Sequence, residues 1–215
     1  MTRAVVLDHI RRRLQVTAFD AARQSRVAER IARHDRNTIP ARAGGSREER
    51  IVRFTDMLTR VQGSTSRVAE WRDVPSEVAG YLGRHADVCL TPEVDAMKLP
   101  WREAEELRLT SWRPKTSMDV CITSCVGAAA ETGTVVVRSA NTSPITEHFL
   151  AECHIVLLDA NRLFGAYEEV LDNIRDELPR HITFVSGPSC TGDIEMIMEY
   201  GAHGPRSLHV IIVGQ

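Results

Sequence analysis

The sequence predicts an α/β fold, in which one mostly parallel, twisted sheet carries helices on both faces and follows an N-terminal helical arm. Short β-branched runs such as Thr134–Arg138 and Ser207–Val213 alternate with stretches of helical spacing. This alternation is typical of parallel sheets built from βαβ units. With 215 residues, 43% of them apolar and 26% charged, the chain can form one ordinary hydrophobic core and an appendage.

Glycine, proline and a capping pattern divide the chain into two predicted parts. The segment Ala21–Arg33 has helical spacing, but the breaker-rich residues 37–45 follow it. Ser46 then begins a second predicted helix, with Glu49 three residues later as its capping-box partner and Gly63 after its end. We therefore predict a basic arm at residues 1–45 and an α/β domain at residues 46–215.

The remaining predicted elements follow one another with short connections. Strands are predicted at residues 65–70, 86–90, 103–109, 119–124, 134–138, 155–158, 181–185 and 207–213, and helices at residues 75–85, 168–178 and 194–200. Ligands of such sheets bind at the carboxyl ends of the strands. Residues 186–189 (SGPS) come directly after a predicted strand, so we expect them at that edge.

The charge of the chain is unevenly distributed. Residues 1–53 contain 13 Arg against 6 Asp and Glu, a net charge of +7, so the overall charge of −2 leaves −9 for the remainder. A basic arm can bind nucleic acid, but this one has a single aromatic residue, Phe19, on which bases could stack. We expect the arm to pack against the acidic body or a partner subunit, the latter giving a homo-oligomer.

The cysteines and apolar runs exclude several classes of protein. The five cysteines form no C-x-x-C pair, so we expect free thiols and neither a metal site nor an iron–sulfur cluster in this chain. No apolar run reaches the roughly 18 residues of a membrane span, and no signal-peptide pattern begins the chain. The cytoplasm is the expected compartment.

Residues 186–205 are the stretch to which we assign the binding face. Two clusters of small residues, SGPS and GAHGP (residues 201–205), lie on either side of the helix predicted at 194–200. Their glycines allow a ligand to approach the backbone, and Ser189 or Thr191 at the helix start would expose N–H groups to an anion. A tight turn and a capped helix would explain the same residues structurally. Neither a P-loop nor a G-x-G-x-x-G pattern occurs.

Three ionisable residues are open to both a functional and a structural interpretation. His203 lies close to two glycines, so we expect it outside the core, able to act as an acid–base group or to bind an anion. Glu131, between a run of alanines and Gly133, could be a catalytic base or nucleophile, or could bond to nearby backbone. Asp193 would suit the first turn of the predicted helix or a ligand. His209, inside an apolar strand, is predicted to be a core histidine.

Three motifs together resemble one known family. Residues 130–137 (AETGTVVV), 186–195 (SGPSCTGDIE) and 201–205 (GAHGP) occur in this order, and Leu208-His209-Val210 follows the third. They are similar to the motifs of the lactate-utilisation C family, the LUD-domain proteins. The resemblance is strong over residues 118–213 and limited to architecture over residues 46–117. Cys190 departs from the family pattern, which usually has a basic residue there, and a Pro-rich stretch usual before His154 is absent.

The resemblance implies a fold of the ribose-5-phosphate isomerase and CoA-transferase kind. It also implies a role beside two iron–sulfur proteins that oxidise L-lactate to pyruvate, with the clusters on those partners and none in this chain. The expected ligand is a small carboxylate or a phosphorylated molecule. Its predicted binding residues are Thr132, Gly133, Ser186, Gly187, Ser189, Thr191, Asp193 and Gly204.

Two other functions remain open at the level of sequence. The chain could be an isomerase or CoA-transferase-type enzyme in its own right, with Glu131 and His203 as catalytic residues. The turn that carries the catalytic carboxylate in CoA-transferases is loosely similar to Glu131-Thr132-Gly133. Alternatively, the chain could be a ligand-sensing regulatory module that uses its basic arm to contact a partner.

Overall fold

Six strands that are all parallel form the main sheet of this protein. The computed structural model describes residues 2–17, 20–33, 38–110, 118–139, 148–192 and 198–214. The strands of the main sheet are β1 (Ser64–Val68), β2 (Ala86–Leu90), β3 (Leu107–Thr110), β4 (Met118–Ser124), β7 (Ala151–Asp159) and β12 (Ser207–Val213). Their spatial order is β1-β12-β7-β4-β2-β3. The predicted α/β fold with a parallel sheet is confirmed.

The two faces of this sheet are buried by different helices. The helices of the body are α3 (Arg47–Arg60), α4 (Val74–Leu82), α5 (Pro92–Ala96) and α6 (Tyr167–Ile174). In β7, Ile155 and Leu157 pack into one apolar cluster with residues of α4 and α5, whereas Val156 and Leu158 pack into another with α3. A strand buried on both faces requires a continuous apolar run. The sequence of β7 meets this requirement.

Helix α3 begins as the sequence predicts. The Ser46 side chain accepts a hydrogen bond from the Glu49 backbone N–H at 3.3 Å, and the Ser46 N–H donates to Glu49 Oε2 at 2.6 Å. This reciprocal pair is the predicted capping box. The helix buries Phe54 and Leu58 against the sheet. Its C-terminal end lies beside the candidate site described below.

A second sheet, which the sequence pattern did not predict, adds to this core. It contains β5 (Gly127–Ala129), β6 (Thr134–Arg138), β8 (Leu163–Phe164) and β9 (Ile182–Val185), in the order β8-β5-β6-β9. The β5–β6 and β6–β9 pairs are antiparallel. Helix α6 packs on this sheet through Val170 and Ile174. The second sheet therefore brings the end of β9 close to the turn between β5 and β6.

The prediction of a helix at residues 194–200 is wrong for the part of this range that the structure describes. Strand β10 (Cys190–Gly192) pairs antiparallel with β11 (Met198–Tyr200), and Thr191 is opposite Glu199. Residues 193–197 lie outside the described residues, so the predicted positions of Asp193 and Glu195 are not described. Apolar residues recur here at every second position, a spacing that suits a strand. All six residues of the two strands are exposed, so this segment has no buried apolar face of the kind that would stabilise a helix.

Two helices precede the body. Contacts divide the chain into Met1–Thr38 and Ile39–Gln215. The first unit contains α1 (Arg3–Arg13), which was not predicted, and α2 (Ala21–Arg33), which has its predicted bounds. Neither helix has a buried residue among those described. Across the described ranges, none of the helices combines the length and apolarity of a membrane span.

Candidate functional site

The turn of residues 131–133, here called the ETG turn, joins β5 to β6 and packs against α3. Gly133 has a φ of +64°, and a Cβ at this position would lie 2.5 Å from the backbone nitrogen of Leu58. Only glycine meets both conditions without strain. The glycine of the ETG motif is therefore required for the close approach of this turn to α3.

Glu131 has a buried carboxylate with an incomplete set of partners. Its Oε2 atom makes no hydrogen bond within the described part of the chain, and Arg42 Nε lies 3.7 Å from it. The Arg42 side chain is 65% exposed and that of Glu131 only 7%. A partly solvated cation compensates a buried carboxylate incompletely. Glu131 lines neither of the two clefts described below.

A chain of hydroxyl groups joins the ETG turn to residues 186–189, here called the SGPS turn. Thr134 Oγ1 lies 2.8 Å from Thr132 Oγ1 and 2.8 Å from the hydroxyl of Tyr167. The same Thr134 oxygen also forms a hydrogen bond with Ser186 Oγ. Two of the predicted ligand-binding residues, Thr132 and Ser186, are thus brought together through one buried threonine.

The SGPS turn also packs on α3. Gly187 has a φ of +84°, and a Cβ there would lie 2.4 Å from the carbonyl oxygen of Val61, directly after α3. The backbone N–H of Ser189 donates to the carbonyl of Pro205 at 2.8 Å, and that of Gly201 donates to the carbonyl of Ser189 at 2.9 Å. The SGPS turn and residues 201–205, here called the GAHGP loop, therefore form one unit.

His203 is exposed, as predicted. Its Nδ1 atom lies 3.2 Å from Thr191 Oγ1 in the β10–β11 hairpin. Because Thr191 belongs to a strand, the predicted helix start with free N–H groups for an anion does not exist at this residue. Side-chain hydroxyls and the imidazole are the polar groups that these two residues offer.

A cleft of about 250 Å³, here called the signature cleft, lies between the SGPS turn and the GAHGP loop. Its walls combine apolar rings from Phe149 and Phe184 with the polar side chains of Ser189 and His203. Neither lysine nor arginine is among the described residues that line it. The cleft suits a small ligand with an apolar part and a hydrogen-bonding end.

Two buried histidines lie close to one another, and one of them, His154, lines the signature cleft. His154 Nε2 is 2.9 Å from Thr123 Oγ1, and the rings of His154 and His148 are 5.8 Å apart. Burial lowers the pKa of His148 to about 4, and burial together with the neighbouring His148 lowers the pKa of His154 to about 3. Both rings are therefore neutral at pH 7.

A second cleft, of about 290 Å³, lies at the carboxyl ends of β2, β4 and β7. It is called the switch-point cleft below. Its polar lining includes Thr91, Glu93, Arg138, His148, Asp159 and Arg162. None of these residues was predicted to be functional. The feature of the sequence that could have identified them is their position, because Thr91 and Asp159 directly follow predicted strands.

The other residues considered from the sequence have structural surroundings. His209 is buried, with its ring nitrogens 2.8 Å from Ser64 Oγ and 3.0 Å from Ser66 Oγ and its ring stacked on Tyr81, so the predicted core histidine is confirmed. None of the five cysteines is part of a disulfide. Burial raises the pKa of Cys125 to about 12, so this thiol is protonated at pH 7. The described residues contain no group of three or more His, Cys, Asp or Glu side chains arranged to hold a metal ion.

Comparison with known sequences places most of the body within one family. Residues 51–213 match the family model described as the LUD domain. A lactate utilization protein C from Deinococcus radiodurans is 28% identical over 185 residues, which cover 81% of this chain and 84% of the relative. A protein of the same name from an Exiguobacterium species is 24% identical over 87% of this chain and 93% of its own length.

Other matches are shorter or purely structural. An uncharacterised protein from Neisseria meningitidis serogroup B is 27% identical over 115 residues, and the chain spans about half of that protein's length, 49%. A crystal structure of a DUF162 family protein from Deinococcus radiodurans superposes with a TM-score of 0.60 at 21% identity, covering 80% of this chain and all of that one. This likeness supports the fold.

Proposed function

This chain belongs to the LUD domain family, and on that basis we propose that it is a component of an L-lactate utilisation system. The observation that carries the proposal is the match to proteins named lactate utilization protein C over more than four-fifths of the chain. Within such a system, the reaction is the oxidation of lactate to pyruvate, and the chain acts beside iron–sulfur partner proteins.

The cysteines of this chain support a role without a cluster of its own. Iron–sulfur clusters require several cysteine ligands that converge on one point. Cys89 and Cys121 pack together in the core with Ala151, whereas Cys190 is exposed on the β10–β11 hairpin. The proposed division of labour therefore assigns electron transfer to the partners.

The signature cleft is the proposed site for a small anionic ligand of this system. The support is the convergence of Ser189, Thr191 and His203 through direct hydrogen bonds between their segments. The imidazole and hydroxyl groups can bond to a carboxylate, while the ring of Phe149 contacts the hydrocarbon part of the ligand. Glu131 remains a proposed catalytic residue only for a stand-alone enzyme.

Growth on L-lactate as the sole carbon source tests the proposed role. Deletion of the gene is expected to abolish growth on lactate but not on glucose, and the wild-type gene should restore it. Purification of the tagged chain from lactate-grown cells is expected to recover two cysteine-rich iron–sulfur proteins, identified by their visible absorption and by mass spectrometry.

A matched pair of histidine variants tests the site. His203→Asn is expected to slow growth on lactate because it removes the imidazole from the signature cleft, whereas the exposed His85→Asn should behave like wild type. Normal growth of the deletion strain on lactate would contradict the proposed role. Wild-type growth of His203→Asn would contradict the assignment of the signature cleft alone.

A further inference from the structure

The switch-point cleft lies where the connections of the main sheet diverge. Strand β2 leads to β3 at the edge of the sheet, whereas its other neighbour, β4, leads through the second sheet to β7 on the opposite side. Open parallel sheets bind ligands in the crevice that such a reversal creates at the carboxyl ends of the strands. Thr91, directly after β2, and Ser124, at the end of β4, both line the cleft.

Two buried polar atoms in the lining of this cleft have no partner within the described part of the chain. They are Thr91 Oγ1 and His148 Nδ1, and their residues are only 1% and 2% exposed. A buried polar atom without a hydrogen bond is unfavourable, because it has lost its bonds to water and gained none in return. Thr91 occupies the position before α5, yet its side chain makes no capping bond to that helix. Among the described residues, this hydroxyl therefore has no structural partner.

Cationic side chains complete the polar lining. Arg138 at the end of β6 and Arg162 at the end of the short 3-10 turn that follows β7 both line the cleft, and among described residues neither forms an ion pair. Guanidinium groups bind carboxylates through paired N–H donors. Glu93 and Asp159 lie in the same lining and balance the two positive charges. This balance favours a ligand with one negative charge over a polyanion.

We propose that the switch-point cleft binds a small organic acid with one carboxylate and a hydroxyl or oxo group. Arg138 and Arg162 hold the carboxylate, and Thr91 Oγ1 and His148 Nδ1 bond to the second oxygen function. The volume of about 290 Å³ is at the lower end of the range of ligand pockets, roughly 300–1,000 Å³, which favours a small metabolite over a nucleotide. The assignment depends on these side chains and not on the proposed role in lactate utilisation.

The protonation states of neighbouring groups fit a binding role. Because burial lowers the pKa of His148 to about 4, its ring is a neutral hydrogen-bonding group at pH 7. The thiol of Cys125, which also lines the cleft, is protonated and donates to the carbonyl of Leu157 at 3.5 Å. Neither group adds charge to the site.

Calorimetric titration of the full chain with four small anions tests this site. The probes are L-lactate, pyruvate, propionate and inorganic phosphate. Lactate or pyruvate is expected to bind at least about 10-fold more tightly than propionate, which lacks the second oxygen function whose hydrogen bonds contribute about 1.5 kcal/mol. Phosphate binding without a response to either oxygenated acid would overturn the ligand class, and equal affinity for propionate would overturn the role of Thr91 and His148.

Arginine variants place the ligand in the cleft. Arg138→Gln and Arg162→Gln are each expected to weaken binding at least 10-fold, whereas Arg102→Gln, at an exposed position outside the lining, should not. The ring resonances of His148 should shift as lactate or pyruvate saturates the chain. Unchanged affinity in both cleft variants, or unchanged His148 resonances, would overturn the site.

Thr91→Val separates a ligand-binding hydroxyl from a structural one. The isosteric methyl group removes the unpaired oxygen, so the free protein is expected to be as thermally stable as wild type or more so, with about 10-fold weaker binding. Full affinity in this variant would mean that an ordered water satisfies the hydroxyl and would overturn its assignment.

The growth and purification assays test the proposed role independently of this site. Loss of growth without binding at the switch-point cleft supports only the proposed role, and binding at this cleft with normal growth supports only the site.

Discussion

Gly133 and Gly187 each have a positive φ, and each lies against the C-terminal end of α3. Their positions explain why two motifs far apart in sequence contain glycine: the backbone of each turn approaches the backbone of the helix more closely than a Cβ permits. Both turns belong to the motifs that resemble the LUD-domain family. Part of this signature is thus a packing requirement, and its glycines help to position Thr132, Ser186 and Ser189.

Substitution of Gly133 is expected to reveal the close approach. Gly133→Ala should lower the free energy of unfolding by more than the roughly 1–3 kcal/mol of left-handed strain, because its Cβ would lie 2.5 Å from Leu58 N. Gly83→Ala is the matched control, since Gly83 has a φ of +59° but open space around it. Chemical denaturation of both variants measures the difference; an equal loss would contradict the packing argument.

The β10–β11 hairpin shows why a short element is hard to assign from its own sequence. Residues 194–200 contain apolar residues at both helical and alternating spacings, and local patterns do not distinguish the two in so short a run. Tertiary contacts decide: the Gly201 N–H bonds to the Ser189 carbonyl, and Arg206 N–H bonds to the Glu152 carbonyl at 2.8 Å. The first bond closes the open end of the hairpin, and the second joins the residue after the GAHGP loop to β7.

Helix α3 is the opposite case, because its start depends on two residues only three positions apart, Ser46 and Glu49. Ser46→Ala is expected to reduce the free energy of unfolding by about 1 kcal/mol through loss of the capping box. Ser76→Ala, on the exposed surface of α4, should change it by less than about 0.5 kcal/mol. Denaturant titrations measure both values. A negligible effect of Ser46→Ala would mean that packing of α3 alone determines where the helix begins.

At the scale of the whole molecule, three buried histidines couple stability to pH. Burial lowers the pKa of His148 and His209 to about 4 and contributes most to lowering that of His154 to about 3, from an ordinary value of 6.5. Between pH 6.5 and these lowered pKa values, the three histidines are protonated in the unfolded chain but neutral in the folded chain. Their contribution to stability is therefore complete above pH 6.5 and decreases as the pH falls.

The free energy of unfolding is expected to fall between pH 7 and pH 5, by up to about 2 kcal/mol for each buried histidine. His209→Gln should make this dependence shallower, because the proton-binding group is lost while a side chain able to bond Ser64 and Ser66 remains. His85→Gln, at an exposed position, should retain the wild-type slope. Denaturation curves at several pH values test this, and a flat profile would contradict neutral buried rings.

The candidate site was predictable only where its residues are close in sequence. The clusters SGPS and GAHGP and the exposed His203 could be recognised because glycine, proline and serine have local backbone preferences. The lining of the switch-point cleft could not, since Thr91, Arg138 and His148 come from segments that are far apart in the sequence. Only the order of strands in the sheet brings them together.

The sequence by itself determined the α/β class, the parallel strands with their apolar runs, the capping box of α3 and the family motif after β9. These features depend on interactions within a few residues or on burial patterns that repeat along the chain. The tertiary structure decided the strand order, the second sheet, the hairpin in place of a helix and the cleft at the switch point. Those features depend on which distant segments meet, and the free energy of such contacts comes from packing that no local pattern encodes.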